Sequence, residues 1–324
     1  MATSQINLGS LSRAKCIFDL NGYIVIRNVL SKTEVEMARK GIQEYRGTFV
    51  ERAATEVRNT SSDSSSNLKG DGRTGRFDMG GMLGWSSPCR EVFRQFLAHP
   101  NLVPYLHLFL GEGYRLDHSP LVLRQKPGSE GFSLHGGPID SKGAMQRGLI
   151  YQCNGKDIHN SLLAVSFQLS DGKMDSNSGG FCVVPGSHKM KFPLSSTMIN
   201  GQDEDFFAQC VAQPEVNPGD CIIFSEATVH GCTAWKEKSF DRYIALYRFA
   251  PANFAYGRGY QYDGGWPESF LTGMTKEQEA VMLPPFNTRL DRERLNDDGT
   301  LAEPIRRSAK KKEFDQLVFQ QKYF

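Results

Sequence analysis

The sequence predicts a mainly β protein, a sandwich or jelly roll with helices around it. Five short runs, apolar or alternating and bounded by Gly, Pro, Asp or Ser, lie between about residues 114 and 251. Helical periodicity is confined to the two flanks, and no repeat of solenoid period runs through the chain. The 324 residues are 39% hydrophobic and 23% charged, which are globular values with ample core to bury. The expected organisation is one domain over 1–324: a strand and helix region at 1–113, a β core at 114–251, and a helical extension at 252–324.

In chain order, IFDLNGYIVIRNVL is rich in β-branched and aromatic residues around Asn21-Gly22 and reads as strand. Ser31 with Glu34 three residues later is a capping-box pattern, so a helix starts near Lys32 and runs to about Tyr45 with Val35, Ala38, Ile42 and Tyr45 on one face. Residues 55–75 carry almost nothing apolar and cannot offset the entropy of ordering; they are expected to form a mobile surface loop, either a lid or an inert insertion. A helical stretch over 89–110 breaks at His99-Pro100. The strands follow in YRLDHSPLVLRQ, SLLAVSFQLSD, GGFCVVPGS, GDCIIFSEATVHG and DRYIALYRFAP. The tail holds turn-rich GYQYDGGWPESF, a helix-like TKEQEAVML stopped by Pro284 and Pro285, and a last helix, SAKKKEFDQLVFQQKYF. Phe314, Leu317 and Val318 share one side of that helix and are expected to pack on the chain's own core, or on a second copy in a homodimer.

Composition excludes several function classes. Lys and Arg number 38 against 36 Asp and Glu, a formal charge of +2, and the only basic run, at 306–312, gives no nucleic-acid footprint. No stretch approaches the roughly 20 apolar residues needed to cross a bilayer, and the first residues lack the apolar core of a secretory signal. A soluble, cytoplasmic monomer or homodimer without membrane or nucleic-acid partners is expected. The final KYF does not match a peroxisomal SKL signal. The 7 cysteines are an odd number without CxxC spacing, which predicts reduced thiols rather than disulfides or structural zinc. Cys153, Cys221 and Cys232 read as small hydrophobes.

Two of the 7 histidines sit at strand ends: His135 in PGSEGFSLHGGP and His230 closing IIFSEATVHG. A jelly roll brings such ends together, and paired imidazoles suit a borderline divalent metal such as iron. Arg242 opens RYIALYRF, where an inward guanidinium can hold a carboxylate bidentately.

The order of these pieces resembles the phytanoyl-CoA dioxygenase family of Fe(II)/2-oxoglutarate oxygenases. FDLNGYIVIRNVLSKTEV is similar to the family's opening, LRQKPGSEGFSLH to its approach to the first histidine, and VSFQLSDGKMDSNSGGFCVVPGSHK to its central signature. VNPGDCIIFSEATVHGCTAWKEKSFDRYIALYRF is similar to the segment that carries the second histidine and the arginine that grips 2-oxoglutarate. The resemblance implies a cupin-like double-stranded β-helix, with Fe(II), 2-oxoglutarate and O2 used to oxidise an unactivated C–H bond of a small molecule, by hydroxylation in the first reading. It implies His135 and His230 as metal ligands and Arg242 as the cosubstrate clamp. Lys126 shares a strand face with Arg124; if that face is inward it contacts the cosubstrate, and if outward both are solvated cations. Ser166 and Gln168, alternating in their strand, and Thr233 beyond His230 are further cosubstrate candidates. Trp235 reads as core, and His188, in PGSHK, as structural.

One position departs from the family. Its first iron motif is His-x-Asp, but here it reads His135-Gly136-Gly137. Three accounts compete. Another side chain supplies the oxygen, with Asp140 first and Glu130 and Glu226 also near; or a halide takes the open position, as in 2-oxoglutarate halogenases, which makes chloride a further cofactor; or two histidines suffice, or the chain is a noncatalytic jelly-roll binding protein. A Gly137→Asp exchange is expected to rebuild the usual triad. The sequence does not specify the substrate.

Overall fold

The computed structural model describes residues 8–56, 67–257, 265–285 and 292–320. Residues 57–66 of the expected surface loop, part of GYQYDGG and the terminal KYF lie outside the described residues. In chain order come α1 (Leu8–Asn21), β1 (Tyr23–Ile26), α2 (Lys32–Glu44), β2 (Val50–Arg52), β3 (Arg76–Gly80), α3 (Cys89–Gln95), α4 (Val103–Leu110), β4 (Arg115–Gln125) and β5 (Phe132–His135). A small hairpin, β6 (Tyr151–Cys153) and β7 (Ile158–Asn160), precedes β8 (Leu163–Gln168), β9 (Gly180–Val183), α5 (Ser196–Ile199), α6 (Glu204–Cys210), β10 (Cys221–Ser225), β11 (His230–Thr233) and β12 (Arg242–Ala250). Helices α7 (Glu268–Leu271), α8 (Lys276–Met282) and α9 (Ala309–Phe319) follow.

Apart from the β6–β7 hairpin and a two-stranded pair at Arg294–Leu295 and Leu301–Ala302, the strands build two antiparallel sheets, a large one in the order β1-β10-β8-β12-β4-β3-β2 and a small one in the order β5-β11-β9. This is the predicted jelly roll. Among the described residues no ladder joins the sheets, so it is an open sandwich rather than a closed barrel. Strand alternation sorts the side chains of the large sheet. Val165, Phe167, Ile223, Tyr247 and Phe249 face the helices and merge with Val35, Ala38, Ile42, Phe93 and Phe109 in one core. On the opposite face Ala164, Ile222 and Phe224 pack against Phe181 and Val183 of the small sheet. The large sheet therefore has one face given to stability and one to the interior of the sandwich.

Helix α2 forms as predicted: Ser31 Oγ accepts from Glu34 N, and the Glu34 carboxylate accepts from Ser31 N at 2.7 Å. The strand expected from residue 17 begins only at Tyr23. Residues 17–21 instead complete α1, because Ala14 and Phe18, one turn apart, are both buried and Phe18 stacks on Phe109 at 4.0 Å. Gly22, at φ +78°, then makes the turn into β1. The last helix does not pack Phe314, Leu317 and Val318 on the chain's own core. All three are exposed, and α9 is held through buried Asp315, which accepts from Arg307 at 2.6 Å and Lys311 at 2.5 Å. Cys221 and Cys232 are buried, Cys153 is exposed, and none of the 7 cysteines is in a disulfide.

Asp117 ties the segment after β12 to the sandwich. Its carboxylate accepts from Arg115 Nη1 at 2.9 Å, Tyr256 N at 3.0 Å and Gly257 N at 2.7 Å. Burial raises its pKa, but His118, the Tyr256 amide and the Arg115 charge outweigh burial and hold it at about 2. A depressed carboxyl gives stability that is present above its unfolded pKa and is lost as pH falls through the folded value. Asp117→Asn is expected to lower unfolding free energy at pH 7 by about 2 kcal/mol. In urea titrations that gap should close as pH drops from about 4 to about 2.

Candidate metal and cosubstrate site

A cavity of about 830 Å³ opens between the sheets. Its floor comes from β4, β8 and β12, its opposite wall from β5 and β11, and its rim from the loops after β5 and β9. Two imidazoles meet on that wall. His135 and His230 are direct partners in the β5–β11 ladder, and their ring centroids are 4.3 Å apart. His135 Nδ1 lies 3.0 Å from Ser133 O and His230 Nδ1 lies 2.7 Å from Thr228 O. A carbonyl can only accept, so each Nδ1 carries the proton, and in the neutral ring the lone pair is left on Nε2. This is the tautomer of a metal-ligating histidine whose backbone partner orients the ring.

Deeper in the cavity is Arg242, buried at 2% exposure. Its guanidinium donates to Gln125 Oε1 at 2.6 Å and touches Met174 Sδ at 3.2 Å and Cys232 Sγ at 3.5 Å. Among the described residues no carboxylate pairs with it. Burial pulls its pKa down, since an unneutralised buried cation is costly. An anionic group in the cavity would supply the missing charge. The donor set therefore fits both halves of the implied chemistry: two imidazoles for a divalent ion and one guanidinium for a distal carboxylate.

The other predicted residues divide. Ser166 lines the cavity. Gln168, two residues on along the same face, is buried; its Oε1 accepts from Ser170 at 3.3 Å, and its Nε2 has no hydrogen-bond partner among the described residues. Lys126 is not brought to the cavity. Gln125 points inward to Arg242, so alternation sends Arg124 and Lys126 outward. Arg124 pairs with Asp241, and the Lys126 ammonium sits 4.3 Å from the Phe77 ring. Thr233 is also elsewhere, accepting from Gln213 at 2.8 Å and donating to Gly180 O at 3.2 Å. Trp235 is core, as read. His188 holds Asp19 O at 3.0 Å and packs edge-on against Tyr151, a structural role.

Of the three carboxylates considered, Asp140 reaches the rim, but its Oδ1 accepts from Lys142 N and Ala144 N, both at 2.9 Å, and so fastens its own turn. Glu130 holds Gly70 N at 2.9 Å and Gly72 N at 2.7 Å. Glu226 is different: it is buried in the cavity wall, with Oε1 2.6 Å from Arg248 Nε and Oε2 3.7 Å from His230 Nε2. Burial raises its pKa, but the charges of Arg248, His230 and His135 hold it at about 2. Among the described residues, no three His, Cys, Asp or Glu side chains converge closely enough to hold a metal as they stand. Sequence reasoning missed Gln125 and Arg248 altogether. Gln125 lies in the same alternating strand as the outward Arg124 and Lys126, and Arg248 lies on the Arg242 face of β12, so strand parity was the signal for both.

The loop after His135 is glycine for a reason visible in the backbone. Gly136 and Gly137 have φ +82° and +88°. A Cβ at 136 would lie 2.7 Å from both Glu226 O and Thr228 O, and one at 137 would lie 2.9 Å from Val229 Cγ2.

Residues 146–239 match the family model described as phytanoyl-CoA dioxygenase, which bears out the motif resemblance over the central strands. The sequence finds no match among the curated proteins. The fold is similar to HygX from Streptomyces hygroscopicus, solved with nickel and 2-oxoglutarate bound, at 20% identity and TM-score 0.57, covering 81% of this chain and 95% of that one. It is also similar to the epimerase SnoN, solved with Fe3+, alpha ketoglutarate and nogalamycin RO, at 15% identity and TM-score 0.54, covering 81% and 94%. Among the described residues no helix is long and apolar enough to cross a membrane.

These contacts revise the expectation for Gly137→Asp. The exchange is expected to lower stability by about 1–3 kcal/mol, from a left-handed backbone and the Val229 clash, instead of simply rebuilding His-x-Asp. Thermal unfolding of Gly137→Asp, Val229→Ala and the double variant checks this. A favourable coupling, with the double variant losing less than the sum of the singles, is the expected result.

Proposed function

We propose that this chain is an Fe(II)- and 2-oxoglutarate-dependent oxygenase acting on a small molecule. His135 and His230 would hold the metal through Nε2, and Arg242 would hold the distal carboxylate of 2-oxoglutarate. The observation that carries the reading is the coincidence of two Nδ1-anchored imidazoles and one buried guanidinium without a carboxylate in a single cavity. The family match over 146–239 supports the same class. Iron with 2-oxoglutarate and O2 supplies oxidation of an unactivated C–H bond.

The remaining work falls to the chain. Ser133 O and Thr228 O fix the imidazole tautomers. Gln125 aims the guanidinium, and Ser166 and Gln168 present polar atoms on the same face as the clamp. Phe181 and Phe224, stacked near His230 at centroid distances of 6.2 and 4.7 Å, exclude water from its ring. The outer cavity combines apolar Met190, Phe192 and Leu194 with polar Arg52 and Gln146, which suits an amphipathic small molecule.

Chlorination is the second reading, favoured by the absence of a side chain at Gly137. Against it stands the Glu226 carboxylate, 3.7 Å from His230 Nε2, which would compete with a halide for the open position. Hydroxylation or a related oxygenation is the preferred outcome.

Arg242→Leu is expected to weaken 2-oxoglutarate binding by about 10²-fold, since a charge-assisted bidentate contact is lost. Fe(II) affinity should change little. Anaerobic titrations of Fe(II) and then 2-oxoglutarate, followed by the visible absorption of the chelate, measure both. Oxygen-dependent succinate formation should be the same in chloride-free and chloride buffer. Wild-type protein that binds neither component would refute the reading.

A further inference from the structure

The triad carboxylate is absent from the loop after His135, yet the Glu226 carboxylate lies 3.7 Å from the metal-side nitrogen of His230. We propose that Glu226 is the third metal ligand, moved from the first histidine's loop to the turn that precedes the second histidine. The inference rests on the proposed function and names a residue for the position that Gly137 leaves without oxygen.

Three observations on separate atoms converge. First, Glu226 Oε2 is 3.7 Å from His230 Nε2. Two donors each about 2.1 Å from one ion stand about 3.0 Å apart at right angles, so Oε2 is within about an ångström of the separation from His230 Nε2 that a shared ion needs. Second, Oε1 is held by Arg248 Nε at 2.6 Å, which leaves Oε2 as the oxygen to present and steadies the carboxylate as outer partners of metal ligands do. A glutamate needed only to neutralise Arg248 would not have to face an imidazole.

Third, the glycines that remove the usual ligand also admit this one. A Cβ at Gly136 would strike Glu226 O and Thr228 O, and one at Gly137 would strike Val229. With side chains at 136 and 137, the 226–229 turn could not lie so close to the His135 loop. The bare His135 loop and the approach of the turn that carries Glu226 thus belong to one packing arrangement. Glu226, four residues before His230, is carried on the short turn between β10 and β11, so the strand that positions the second histidine positions the carboxylate as well.

The test uses full-length protein and Co(II) as the probe, anaerobically and in chloride-free buffer, with calorimetry for affinity and the visible Co(II) spectrum for coordination. Glu226→Gln keeps the shape and the contact to Arg248, and Glu226→Asp keeps the charge, so at least one folded variant is secured; melting of the metal-free proteins verifies folding. The expected result is a loss of Co(II) affinity of about 10²-fold in Glu226→Gln and about tenfold in Glu226→Asp, with a changed spectrum. Arg248→Gln should lose about tenfold in affinity with the wild-type Co(II) spectrum retained, because it removes an outer partner and leaves the ligand set intact. A folded Glu226 variant that binds Co(II) as wild type does, with the same spectrum, overturns the inference and leaves the proposed function intact. Wild type that binds no Co(II) while His230→Ala behaves identically overturns the proposed function itself.

Discussion

The register of β5 against β11 is the constraint on which the site depends. Side chains alternate along a strand, so only a ladder that makes His135 and His230 direct partners places both rings on the cavity face. A slip by one residue would turn one ring away. Both edges of β11 are occupied: it pairs with β5 on one side and with β9, Val183 against His230, on the other. The ladder shifts register between His230 and Cys232, beyond the histidine pair, which stays aligned. The large sheet applies the same alternation to Gln125, Ser166, Gln168 and Arg242, so clamp and imidazoles face each other without a loop having to be ordered for the purpose.

The arginines of the cavity differ in how their charge is met. Arg248 is neutralised by Glu226 and Arg76 by Asp78, the latter through two bonds of 2.9 and 2.6 Å. Arg242 has neutral partners alone among those described. Burying a cation against an amide, a thioether and a thiol is unfavourable unless a ligand brings the counter-charge. The imidazoles are oriented by carbonyls: Ser133 O and Thr228 O hold the Nδ1 protons, so in the neutral rings the lone pair lies on Nε2.

Much of this was legible in the sequence, for identifiable reasons. The capping box at Ser31 and Glu34 is a local signal and fixed α2 to within a residue. The strand runs around 115–125, 163–168, 221–225 and 242–250 announce themselves by alternation and β-branching, and the motif order supplied His135, His230 and Arg242. What failed required distances along no single element. Residues 17–21 look like strand, but the Phe18–Phe109 stack holds them in helix. Lys126 and Thr233 are near the site in sequence and point away from it, because a face cannot be assigned to a strand before its partner is known. Asp140 was favoured by nearness to Gly137, whereas its carboxylate serves its own turn. Glu226 is near the site through packing, because the turn that carries it lies on the His135 loop, a contact no single element of the sequence encodes. The amphipathic pattern of α9 does not give its anchor on the chain's own core, which is a charged residue, Asp315.

The central claim is spatial, so a spatial measurement tests it most directly: an anaerobic crystal structure of the protein soaked with Fe(II) and 2-oxoglutarate. The account predicts one iron bonded to His135 Nε2 and His230 Nε2, with the far carboxylate of 2-oxoglutarate on the Arg242 guanidinium. Iron bound away from this pair, or 2-oxoglutarate density with its carboxylate remote from Arg242, would contradict it.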